Sequence, residues 1–141
     1  MKHFLRCCTM LTFLVCVCNL NAQTSNSANL QVLTPEAEIV NVFGSDWVNR
    51  NRAMVDVLIN CRMTRISLVQ KELETDEKFP VLSSYPLLNR FNPGVEAVDA
   101  STFNVNTFNP FTYHLDFMSD KTQVIRIDGT GYLLIIDPIK R

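Results

Sequence analysis

The sequence predicts an α+β fold: an N-terminal helical hairpin packed on a small, mainly antiparallel sheet that ends in a C-terminal β-hairpin. Three observations predict it. Apolar residues recur at helical spacing between Thr34 and Met63, strict alternation takes over in the C-terminal third, and Asp128-Gly129 joins two β-branched runs there. Helices repeat every 3.6 residues and strands every 2, so the change of period marks the change of element.

The first helix opens at Thr34-Pro35-Glu36. Thr34 is a capping residue, Pro35 suits the first helical position, and Glu36 and Glu38 complement the positive end of the helix dipole. Ile39, Val42 and Phe43 share one face, and Gly44 is a natural stop. Ser45 or Asp46 then caps a second, longer helix. Trp47, Met54, Leu58 and Cys61 follow at spacings of seven, four and three, which traces one face that Val55 and Ile59 widen. Arg50, Arg52, Asp56, Asn60 and Arg62 fall mostly on the other side. In this pattern Trp47 reads as a core anchor and Cys61 as a small buried thiol.

From Thr64 to Gln70, Ile66 and Leu68 alternate with polar residues and read as a strand. Lys71 to Lys78 is a mostly charged run. It lacks the glycine and terminal glutamate of a calcium loop and reads as a solvated connection. Thr112 to Met118 alternates Tyr113, Leu115 and Phe117 with His114 and Asp116, a half-buried strand. After the polar turn Ser119-Asp120-Lys121 come strands at Gln123–Ile127 and Tyr132–Ile136. Asp-Gly between apolar runs signals a hairpin, because glycine accepts a positive φ without steric cost. Leu133 to Ile136 is apolar on both faces, so this strand is central or covered.

Between these blocks, Phe79 to Phe111 holds four of the six prolines and little periodicity. It also holds Phe79, Tyr85, Phe91, Phe103, Phe108 and Phe111, aromatics that disordered linkers lack. Phe91-Asn92-Pro93 recurs as Phe108-Asn109-Pro110, and Asn-Pro favours turn initiation. Either the segment wraps the domain's own core through its aromatics, or it lies across a partner. A small domain needs its large apolar side chains, which favours the first account. The second makes these aromatics the candidate partner-binding residues.

Ahead of the domain, Lys2 and Arg6 precede an apolar run from Cys7 to Cys18 and a polar break at Asn19. This is the layout of a secretory signal peptide, expected at residues 1–22 with cleavage after Ala22, followed by a polar spacer over 23–33 and a single domain over 34–141. Such a run is too short to span a bilayer. Acylation at Cys16 or Cys18 is the alternative, disfavoured because valine precedes each where a small residue is expected. The leader carries four of the five cysteines, so the mature chain keeps Cys61 alone and makes no internal disulfide. Of 13 Lys and Arg residues the leader takes Lys2 and Arg6, leaving 11 against 14 Asp and Glu, a net charge of −3. Nucleic acid is not an expected partner for such a chain.

No catalytic motif stands out, and neither cofactor nor metal is expected. His114 is the one histidine of the mature chain, which excludes a zinc site built on several histidines. Gly129-Thr130-Gly131 is followed by no Lys-Ser/Thr and opens a strand, so it is no phosphate loop. The leader ending Asn21-Ala22-Gln23, the stretches Phe43–Val48 and Lys78–Ser84, the Phe108-Asn109-Pro110 turn and the closing Thr122–Tyr132 resemble small exported proteins of unknown function from Bacteroidetes-type bacteria. The resemblance implies a Gram-negative envelope location, periplasmic or outer-membrane associated. The reading is a non-catalytic envelope protein, an accessory or interaction subunit with a protein partner. The alternative is a small periplasmic hydrolase or ligand-binding domain using strand-end aspartates (Asp116, Asp120, Asp128 and Asp137) with Tyr132 or His114.

Overall fold

A computed structural model describes residues 33–71 and 78–140. The leader, the spacer before Leu33 and most of the charged run after Lys71 lie outside the described residues. Helices α1 (Pro35–Phe43), α2 (Ser45–Arg50) and α3 (Arg52–Thr64) precede strand β1 (Ile66–Gln70), and β2 (Gln123–Arg126) and β3 (Tyr132–Ile136) close the chain. The strands form an antiparallel sheet in the order β1-β3-β2, an α+β arrangement.

α1 follows its local chemistry. Thr34 Oγ1 accepts from the Ala37 N–H at 3.2 Å, Pro35 takes the first turn, and Gly44 ends the helix at φ +79° with its N–H on the Val40 carbonyl. Ile39 and Val42 are fully buried, whereas Phe43 is half-buried. Glu36 and Glu38 both lie in the first turn, as the dipole reading expects, and Glu38 does more than complement the dipole. It is 5 % exposed, and the Arg62 guanidinium of α3 donates to both its carboxylate oxygens at 2.7 and 3.1 Å.

The single long second helix is corrected. It breaks at Asn51, which leaves helical geometry at φ −124° and ψ 35°. The Asn51 side chain donates to the Trp47 carbonyl at 2.8 Å, and its own carbonyl accepts from Met54 and Val55. A short amide that bonds neighbouring backbone competes with the helix ladder, and here it ends one helix and starts the next. Neither Ser45 nor Asp46 is the cap of α2; Gly44 occupies that position, with no side-chain bond. Across the break the buried stripe is Val48, Val55, Leu58 and Cys61, while Trp47 is half-buried and Met54 is 48 % exposed.

β3 is central, as its two apolar faces require. Ile66 pairs with Ile136 and Gln70 with Tyr132 on one side, and Gln123 pairs with Ile136 and Arg126 with Leu133 on the other. Gly129 turns the β2–β3 hairpin at φ +65°, and the Ile127 N–H closes it on the Tyr132 carbonyl. Leu134 and Ile136 join the helices' core with no exposed surface, whereas Ile135 on the opposite face is half-buried.

The expected strand over Thr112–Met118 does not form. Pro110–Thr112 is a 3-10 turn, and beyond it only Tyr113 makes a bridge, to Leu87. The predicted alternation still holds, with Tyr113, Leu115 and Phe117 buried and His114 and Asp116 exposed. Two bonds flank that bridge, His114 N–H to the Pro86 carbonyl and Leu88 N–H to the Thr112 carbonyl; beyond it Leu115 N–H bonds the Tyr113 carbonyl and Phe117 N–H bonds the Leu115 carbonyl. These i→i+2 bonds of the γ-turn kind end the ladder after that single bridge, and the facing Pro86 has no N–H to extend it.

The Phe79–Phe111 segment wraps the core. Phe111 has no exposed surface and Phe108 has 5 %, both within the same cluster as Ile39, Leu58 and Ile136. Its repeated Phe-Asn-Pro motif is a clamp used twice. Asn92 Oδ1 accepts from Gly94 N–H and Asn109 Oδ1 from Phe111 N–H, both at 3.0 Å. Asn92 Nδ2 donates to the Asn41 carbonyl and Asn109 Nδ2 to the Glu38 carbonyl, at 2.6 and 2.8 Å. Each asparagine thus shapes its own turn and ties it to α1. The two ties fall three residues apart on that helix, which places them on one face.

Candidate partner-binding surface

The six sequence-selected aromatics part company in the structure. Phe108 and Phe111 are interior. Phe103 is half-buried between Phe108 and Tyr132, with ring centroids at 5.7 and 5.2 Å. Tyr85 is half-buried against the core, and Phe79 is half-buried where its carbonyl accepts from Arg126 Nε at 3.1 Å. Phe91 belongs to a different group. It sits 5.6 Å from Phe43 and 6.2 Å from Trp47, and the Arg90 guanidinium lies 4.3 Å above its ring. Phe43 and Trp47 stack on each other at 4.4 Å.

Beside this half-buried stack runs an apolar groove of about 310 Å³, with Trp47, Met54, Leu88 and Met118 on its walls and Leu58 and Phe117 at its floor. Met54 and Met118 expose 48 % and 42 % of their surface. His114 and Asp116 form its polar rim. The sequence reading missed Met54, Leu88 and Met118. Met54 was assigned to the core stripe, but it stands in the first turn of α3, where the buried face is carried by Val55 instead.

A second cleft, of about 280 Å³, lies between α1 and the 92–112 segment and is rich in polar side chains. Several of its polar groups are already engaged. Asn92 and Asn109 hold the clamp, Asn104 Oδ1 accepts from Asn106 N–H, and Asp99 Oδ1 accepts from both the Ser101 N–H and hydroxyl. Those bonds hold the Asp99 carboxyl below its ordinary range, the backbone bond most. This chemistry shapes a loop and offers a ligand little.

The strand-end aspartates are not gathered. Asp128 sits at the hairpin turn, whereas Asp137 follows β3 and Asp116 lies by Gln123, whose side chain donates to its carbonyl. The register sets these at opposite ends of the hairpin. Both Asp128 oxygens are taken by Ser83, from its N–H at 2.9 Å and its hydroxyl at 2.6 Å. Partial burial, the largest influence, pushes the Asp128 carboxyl up; the Ser83 bonds and the Arg126 charge outweigh it and leave the group below the usual range. His114 is exposed, and the Tyr132 ring packs at a tilt against Phe103.

Cys61 is 1 % exposed, and burial pushes its thiol up against the weaker pull of Arg65, the opposite of an activated nucleophile. Burial likewise raises the Tyr113 hydroxyl, which accepts from the Val98 N–H at 2.8 Å. Among the described residues no three His, Cys, Asp or Glu side chains are grouped to hold a metal ion. No helix among them is long and apolar enough to cross a membrane. Comparison with protein-family models, with curated proteins and with solved structures finds no match to this chain.

Proposed function

We propose that the chain is a non-catalytic interaction protein of the bacterial cell envelope, an accessory subunit of a periplasmic or outer-membrane assembly. The observation that carries this reading is the groove beside the Phe43–Trp47 stack, where Met54 and Met118 stand half out of water next to further apolar walls. Apolar side chains left in water around a groove offer a surface that another molecule can cover. Methionine suits it, since its unbranched thioether adapts to a partner's shape. The leader-like first 22 residues support the location.

The experiment isolates the exported protein from solubilised envelope as the parent and as Met54→Glu/Met118→Glu. Both positions are exposed, so the variant keeps the parent's thermal midpoint. The reading expects a second protein species in fixed ratio with the parent and its loss from the variant. A parent that elutes with no second species and retains a bound metabolite overturns it. Intact mass on the same material is expected to start at Gln23, with no acyl chain on Cys16 or Cys18.

A further inference from the structure

The sheet has two edges, and the chain treats them differently. The outer edge of β2 is capped at its Arg126 end: the Arg126 N–H donates to the Pro80 carbonyl at 2.9 Å, Val81 bridges Arg126, and Asp128 holds Ser83 just beyond. The outer edge of β1 has no such cover. The Arg65 carbonyl accepts from Asp137 N–H and Lys71 N–H donates to Gly131, so the odd-numbered residues of β1 face β3. Successive residues of an antiparallel strand bond to opposite sides. Ile66, Leu68 and Gln70 therefore direct their N–H and C=O groups outward, and among the described residues nothing meets them.

Proteins blunt an open edge with charge, proline, a bulge or a covering loop. Ile66-Ser67-Leu68-Val69-Gln70 contains no charge, no proline and no glycine, and its register with β3 runs without a bulge. The adjoining Arg65 guanidinium turns back onto the Phe117 and Asp137 carbonyls. Val69 leaves 41 % of its surface exposed on the outer face, in register with Leu133.

We propose that β1 pairs antiparallel with β1 of a second copy of this chain, about a two-fold axis through Leu68. The parity of the strand favours a copy of itself. That axis sets Leu68 against Leu68 and Ile66 against Gln70, so every outward N–H and C=O finds a partner at once. On the outer face it brings Val69 against Ser67 of the copy and carries the apolar row across the axis. Closure favours it as well: the doubled sheet ends on both sides in a β2 edge that the 79–83 segment caps at Arg126, which leaves a shorter edge than β1 presents. A two-fold is the commonest symmetry of soluble oligomers. The pairing uses no residue of the Trp47–Met118 groove, so the two proposals stand or fall apart.

The test is the solution mass of the mature chain by light scattering, with variants that spare the fold. The Gln70 N–H serves no bond in the β1–β3 ladder and its side chain is exposed, so Gln70→Pro removes an outward donor alone. Val69→Lys sets a charge in the shared apolar row. Circular dichroism checks that each variant folds, and Val69→Lys decides should Gln70→Pro not fold. Register is read separately by mixing Ser67→Cys with Val69→Cys protein. Directly opposite residues in a non-hydrogen-bonded pair lie about 4.5 Å apart at Cα, within disulfide reach of about 4.4–6.8 Å, and Cys61 is buried out of the way. The expected results are twice the chain mass for the parent, a halving in the folded variant, and a cross-link in the mixture that neither protein forms alone. A parent that stays monomeric, a dimer that survives both variants, or cross-links that form equally in every mixture overturn the proposal.

Discussion

Replacing Gly129 by alanine strikes the β2–β3 turn in two separable ways. Gly129 sits at φ +65°, in the left-handed region, where an L side chain costs about 1–2 kcal/mol. An added Cβ would also stand 2.8 Å from the Cβ of Ala100, well inside the roughly 3.5–4.0 Å of favourable carbon contact. Overpacking costs about 1–3 kcal/mol in a tight interior. Ala100 lies on an exposed turn that can yield, so the lower end of that range applies. Together the two effects predict a loss of about 2–3 kcal/mol for Gly129→Ala, and more for Gly129→Val, whose β-branch adds crowding. The double variant Gly129→Ala/Ala100→Gly removes the overlap and keeps the backbone strain, so the pair should couple by about 1 kcal/mol in a double-mutant cycle. Urea midpoints of the parent, both single variants and the double variant measure this. A Gly129→Ala protein within about 0.5 kcal/mol of the parent would refute the hairpin geometry. A large loss with no coupling would leave the turn standing and refute the contact with Ala100.

Asn109→Ala should cost about 2–3 kcal/mol, because it strips partners from the Phe111 N–H and the Glu38 carbonyl in a buried setting. Asn92→Ala removes the equivalent bonds at a partly exposed turn and should cost about 1 kcal/mol; equal losses in urea would show that the two clamps are not used differently. Glu38→Ala leaves the Arg62 guanidinium without its carboxylate and should lose about 2–3 kcal/mol, scaled down from a fully buried pair. Glu36→Ala breaks an exposed pair with Arg52 and should leave the urea midpoint unchanged. Asp128 is depressed in the folded state, so its contribution is present above the ordinary carboxylate pKa of about 3.9 and is lost as pH falls through the lower folded value. The stability gap between the parent and Asp128→Asn should therefore narrow on acidification below about pH 4. A gap independent of pH would mean that Ser83 does not hold the carboxylate.

The six aromatics of the Phe79–Phe111 segment were legible as a group, but which of them face water was not. Burial of Phe108 and Phe111 is decided by elements far away in sequence, as is the tilted packing of Phe91 against Phe43 and Trp47. The Phe-Asn-Pro repeat was visible as a pair of turns. That both turns reach α1 through the same amide group could not be read, because the acceptors lie 51 and 71 residues away. Both exposed groove methionines stayed hidden for a related reason: an apolar residue at the end of a periodic run meets the core only if a distant element covers it, and none among the described residues covers Met54 at the start of α3 or Met118 beyond Phe117.

By itself the sequence determined what short-range chemistry decides. The Thr34-Pro35 start, the Gly44 stop, the Asp128-Gly129 turn and the inward alternation of Tyr113, Leu115 and Phe117 all rest on φ preferences and bonds within a few residues. Tertiary structure decided everything that needs a distant partner. It set β1 beside β3, kept 112–118 out of the sheet, buried Glu38 rather than Glu36 against an arginine, and capped one edge of the sheet at Arg126 while leaving the β1 edge open. A donor or an apolar face is a property of the residue. Whether it is met is a property of the packing, because each partner is chosen only when the whole chain competes for the same core.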